Sequence, residues 1–113
     1  MSQRTVKKTA EFTQELKRLS KKHRGLPSEV QTILSELTID KGRDGDRLSR
    51  LSGLPVFKIR CRIGNMGLSK GARIIYYKDN SKLWALYIYR KSDREGIPDK
   101  KIIKILKKYG LQP

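Results

Sequence analysis

Between Pro55 and Lys91 the sequence PVFKIRCRIGNMGLSKGARIIYYKDNSKLWALYIYRK alternates with a period of two, and this most constrains what the chain can fold into. Phe57, Ile59, Cys61 and Ile63 interleave with Lys58, Arg60 and Arg62, the pattern of a strand with one face buried and the other left to solvent. Two further segments, Ala72 to Lys78 and Leu83 to Lys91, are rich in β-branched and aromatic residues and flank the turn signal Asp79-Asn80-Ser81. They predict a tight antiparallel hairpin. Strict alternation sends Trp84, Leu86, Ile88, Ile74 and Tyr76 inward. It sends Arg73, Ile75, Tyr77, Tyr87, Tyr89 and Lys91 to the side of Lys58 and Arg60. The expected result is a sheet face bearing five cations and several tyrosines, with no carboxylate.

The remaining chain predicts helices. Arg4 to Lys8 is a weakly patterned first strand; from Ala10, with Thr9 as N-cap, Phe12, Leu16 and Leu19 share a helical stripe that ends at Arg24-Gly25. Pro27 opens a second helix, with Val30, Ile33, Leu34 and Leu37 at i, i+3, i+4 and i+7. So short a connection implies an antiparallel helix pair. Asp40 to Gly53 is Gly- and Asp-rich and reads as loop, as does the glycine-rich connection Gly64 to Gly71. Pro98 and Asp99 start a last helix with Ile102, Ile103, Leu106 and Tyr109 towards the core. The expected class is α+β: two N-terminal helices on an antiparallel sheet of three to four strands, plus a C-terminal helix. At 113 residues the chain supports one core, so residues 1–113 read as a single domain.

Charge narrows the partners. The formal net charge is +16, and residues 55–113 carry 15 Lys and Arg against 4 acidic residues, whereas residues 1–54 carry 12 against 7. A field of that sign selects polyanions, and the partner classes it leaves are nucleic acid, an anionic membrane surface and an acidic protein. One cysteine, Cys61, and one histidine, His23, exclude an intrachain disulfide and a zinc set. No carboxylate cluster suggests magnesium, and no G-x-x-x-x-G-K-[ST] run suggests a phosphate loop. Neither a metal nor another cofactor is expected. With no apolar stretch of signal-peptide or membrane-span type, a soluble cytoplasmic protein without membrane partners is expected. His23, with no second histidine, reads as a surface residue. Like charges on neighbouring strands repel, so an anionic ligand is the best reason to keep Lys58, Arg60 and Arg73 together. Tyr77, Tyr87 and Tyr89 are either strand-forming residues or stacking surfaces for unpaired bases.

The succession of short strand, two helices, three strands and terminal helix, with FKIRCRI, GARIIYY and LYIYRKSDRE, resembles the RelE/ParE superfamily of bacterial type II toxins. The Gly/Lys/Ser connection before ARIIYY and the ending YRKSDREGIP resemble its HigB branch. That resemblance, over nearly the whole chain, implies a RelE-like fold and a ribosome-dependent endoribonuclease, an mRNA interferase cutting messages in the decoding site. It implies Lys58, Arg60, Arg73 and Arg90 or Lys91 as catalytic cations, parity favouring Lys91. Arg62, Lys70, Tyr77, Tyr87, Tyr89 and Arg90 are the implied RNA contacts. The implied partners are the ribosome with its ribosomal RNA, messenger RNA and a cognate antitoxin. Some relatives place a tyrosine in the C-terminal segment, and the matching SDREGIPDKK has none, so either Tyr89 takes its place or no tyrosine is needed. The alternatives are a non-catalytic RNA- or ribosome-binding module and a ParE-like gyrase poison.

Overall fold

The computed structural model of the chain describes residues 4–40, 44–64 and 70–111. Their order is β1 (Thr5–Lys8), α1 (Ala10–Ser20), α2 (Leu26–Thr38), β2 (Asp46–Arg47), β3 (Val56–Cys61), β4 (Ala72–Lys78), β5 (Lys82–Arg90) and α3 (Asp99–Lys108). The class is α+β, as expected, but the sheet differs from the expected one. It has five strands in the order β1-β5-β4-β3-β2, and β1 runs parallel to β5 while the other pairs are antiparallel. Two helices lie between β1 and the rest of the sheet in the chain, and such a crossover, unlike a hairpin, returns the chain in parallel. Asp46–Arg47 lies inside the stretch read as loop, where two residues leave no period to detect. Most of the connection 64–71, at 65–69, falls outside the described residues.

The helix boundaries follow local chemistry. Thr9 Oγ1 accepts from Phe12 N at 3.0 Å and donates to Leu86 O at 2.7 Å, so one hydroxyl caps α1 and ties it to β5. Pro at the start of α2 has a fixed φ suited to the first turn and needs no hydrogen-bond partner there. At the other end Tyr109 accepts from Ala10 N at 2.9 Å and donates to Glu11 at 2.9 Å, joining the end of α3 to α1.

The sheet is covered on both faces, and here the one-faced expectation fails. One core joins Phe12, Leu19, Val30 and Leu34 to Cys61, Ile74, Tyr76 and Ile88. A second core lies beneath α3, where Ile102, Ile105 and Leu106 meet Val56, Ile75, Tyr77, Leu86, Tyr87 and Tyr89. Ile105 had no place in the expected stripe; α3 buries it beside Leu106. The β4–β5 register slips between Ile75, opposite Tyr87, and Tyr76, opposite Ala85. A bulged strand carries one extra residue, here Leu86, and beyond it the alternation changes phase. Trp84 and Leu86 therefore pack in the α3 core while Ile88 stays in the other, correcting the expected grouping of all three.

Cys61 is fully buried, and desolvation pushes its thiol up to about 12. Gly45 lets β2 approach β3: a Cβ there would meet Lys58 O and lie 2.6 Å from the Lys58 carbonyl carbon. We expect Gly45→Ala to lose about 1–3 kcal/mol, the cost of overpacking, in chemical denaturation. An unchanged midpoint would contradict that close approach.

Candidate functional site

Directly opposed residues of an antiparallel pair share a face of the sheet, and the register therefore places every strand cation. Arg60 opposes Arg73, and Arg73 opposes Tyr89 on the next strand. One step along, Lys58 opposes Ile75, which opposes Tyr87. Lys58, Arg60 and Arg73 thus stand on one face, on two adjacent rungs separated by roughly 7 Å along the strand. Lys91 is one residue past β5; its N–H donates to Gly71 O at 3.0 Å, which carries the strand pairing one step further.

The α3 side of this face contains a cleft of about 390 Å³, within the usual size range of ligand sites. Its floor is Lys58, Ile75 and Tyr89; residues 47–50 form one wall, and residues 96–99 with Ile102 the other. Arg60, on the rung beyond, is exposed, and Arg73 is only 7% exposed, with a guanidinium N–H donating to Ala72 O at 3.1 Å. Burial raises the pKa of Tyr89, and the nearby charges of Arg73 and Arg94 act against that rise. The chemistry available on this face is that of an anion site: the guanidinium groups of Arg60 and Arg73 and the amino group of Lys58 share it, and Tyr89 lines the same cleft as Lys58.

The other expected contacts do not all join this group. Arg90 opposes Ala72 of the helix-pair core, so it lies on the opposite face from Arg73. Strand parity decides this. Tyr77 donates to Asp79 at 3.0 Å near the hairpin turn, away from the cleft. Tyr87 and Tyr89 are 5% and 2% exposed, so α3 already covers the rings that bases would stack on. Lys101 Nζ sits 4.7 Å from the Tyr87 ring centroid and fills the cation–π position there. Arg62 and Lys70 are exposed on either side of 65–69, outside the regular strands.

Two carboxylates amend the expectation of an all-cationic face. Asp46 opposes Lys58 in the β2–β3 pair, and Asp99 lines the cleft at the start of α3. Sequence reading missed both, together with Arg50, because the first falls in a presumed loop and the second in a presumed helix cap. Apolar spacing held the one clue: Leu48, Leu51 and Leu54 all pack on the α3 core and dock that wall. Arg47 is held at this wall by its own contacts, donating to Gly53 O at 2.6 Å and lying 5.9 Å from the Phe57 ring centroid.

No protein-family model matches the chain, and no curated protein does. Among the described residues no three His, Cys, Asp or Glu side chains cluster as metal ligands. No helix among them is long and apolar enough to cross a membrane.

Proposed function

We propose that the protein is a RelE-like toxin of the HigB branch, a ribosome-dependent endoribonuclease of a type II toxin–antitoxin pair. The placement of Lys58, Arg60 and Arg73 on one face of the sheet, with Lys58 on the floor of a cleft, is the observation that carries this reading. RNA brings its own nucleophile, the 2′-OH next to each phosphate. Cleavage then requires three things of a protein: removal of that proton, in-line alignment, and neutralisation of the charge growing on phosphorus.

Arg73 and Arg60 hold the non-bridging phosphate oxygens through their guanidinium forks. Lys58, as the neutral amine, accepts the 2′-OH proton and becomes an ammonium as the 2′-oxygen bonds to phosphorus. The P–O5′ bond breaks, Lys91 gives a proton to the departing 5′-oxygen, and the products are a 2′,3′-cyclic phosphate and a 5′-OH. Tyr89, on the cleft floor, is the tyrosine that lines the cleft among the described residues. No metal is needed, because the nucleophile belongs to the substrate.

The remaining surface suits a large RNA partner. Lys17, Lys21, Lys22, Lys104 and Lys107 are exposed on or beside α1 and α3 and are the proposed ribosomal RNA contacts. Lys108 is exposed too but pairs with Glu11 at 3.0 Å. Such contacts give affinity without sequence choice. Choice comes from the ribosome, which presents the message. An antitoxin neutralises the protein by covering the cationic face. Burial of the tyrosines disfavours the non-catalytic, base-stacking alternative.

The test is to incubate the protein with translating ribosomes and map message ends by primer extension. New ends inside codons are expected. Intact messages together with stabilised double-strand breaks in gyrase-treated DNA would replace this reading with gyrase poisoning.

A further inference from the structure

We propose that a second phosphate site lies on the opposite face of the sheet from the cleft, where the end of α1 meets the end of β5. A hollow of about 370 Å³ there is lined by Arg18, Lys21, Lys22, His23, Arg90 and Asp93. Arg90 enters it from β5, on the helix-pair face fixed by its pairing with Ala72. Arg18 is held by Glu15 at 2.9 Å and also feels the charge of Asp93. That leaves Lys21, Lys22 and Arg90 facing the single carboxylate of Asp93. Positive charge is in excess.

A helix C-terminus attracts cations, and the end of α1 accounts for Lys21 and Lys22 on that ground alone. It does not account for Arg90, which belongs to a strand. The Arg90 guanidinium has an Nη1 contact of 3.4 Å to His23 Nε2, while its buried Nε has no acceptor among the described residues. Buried donors normally have partners, and a charged donor without one asks for an acceptor. A tetrahedral oxyanion fits. It can accept from the guanidinium and from two flexible ammonium groups at once. Among the described residues no Phe, Tyr or Trp ring lines the hollow, and His23 supplies its single ring beside four cationic side chains, a composition that favours phosphate over a base. The phosphate is either a backbone phosphodiester of RNA or a free phosphate ion.

The experiment is an NMR titration of the full-length ¹⁵N-labelled protein, first with inorganic phosphate and then with a short RNA stem-loop. The Arg90 Nε–H and His23 ring resonances are followed. Both probes should move them saturably, and Lys22→Glu, at an exposed position, should raise half-saturation by about tenfold or more. RNA saturating at about tenfold lower concentration than phosphate assigns the site to a backbone phosphodiester. Equal concentrations assign it to free phosphate, and either result supports the site. Resonances that stay still with both probes, or shifts unaffected by Lys22→Glu, would overturn it. Lys58→Ala should leave these shifts intact, so this site and the cleft succeed or fail separately.

Discussion

Lys58→Ala is expected to slow message cleavage about 100- to 10,000-fold, the usual contribution of one positioned general base. Lys58 is partly exposed on the cleft floor, and its side chain makes no hydrogen bond or ion pair among the described residues, so folding should survive. A surface change of that kind moves stability by about 0.5 kcal/mol or less. The control is Lys8→Ala, which removes the same charge from β1 at the far edge of the sheet. If only the overall field of the protein mattered, both variants would weaken cleavage alike. The local account predicts that Lys8→Ala stays near the wild-type rate. Cleavage assays at saturating ribosomes, with circular dichroism melting of each variant, separate these outcomes.

Leu106→Ala is expected to cost about 2–5 kcal/mol, because Leu106 is fully buried in the core beneath α3 and its truncation leaves a cavity. At about 4–8 °C per kcal/mol for a domain near this size, the thermal midpoint should fall by at least about 8 °C. Phe12→Ala in the other core should cost a similar amount, about 3–5 kcal/mol. The two differ in function. Ile102 and residues 96–99 wall the cleft, so loosening α3 disturbs the site, whereas loosening α1 does not reach it directly. Assayed well below both midpoints, Leu106→Ala should cleave more slowly than Phe12→Ala. Equal rates would mean that α3 plays no part in shaping the site.

The face shared by Lys58, Arg60 and Arg73 was legible in the sequence because a strand's side chains alternate without exception while its hydrogen-bond ladder is regular. Alternation also set Arg90 apart from Lys91. The same rule failed at Leu86, where one extra residue shifts the phase, and nothing in LWALYIY marks a bulge. The second core escaped notice because Tyr77, Tyr87 and Tyr89 look alike whether a helix or a ligand covers them. The α3 stripe of Ile102 and Leu106 needed an apolar partner, and these tyrosine rings are what it packs on. Asp46 was hidden because a two-residue strand carries no period, so its place opposite Lys58 is visible only in the pairing. The end of Arg4 to Lys8 as a strand could be read, but its parallel direction could not, since direction depends on where the intervening helices cross the sheet.

The sharpest measurement uses programmed ribosomes whose message carries a single 2′-deoxynucleotide at the position that is cut. If the 2′-oxygen is the nucleophile and the cations of β3 and β4 steady the phosphate it attacks, cleavage stops at that position and persists in the all-ribose message. Cutting of both messages at the same rate would contradict the account, as would failure to cut either.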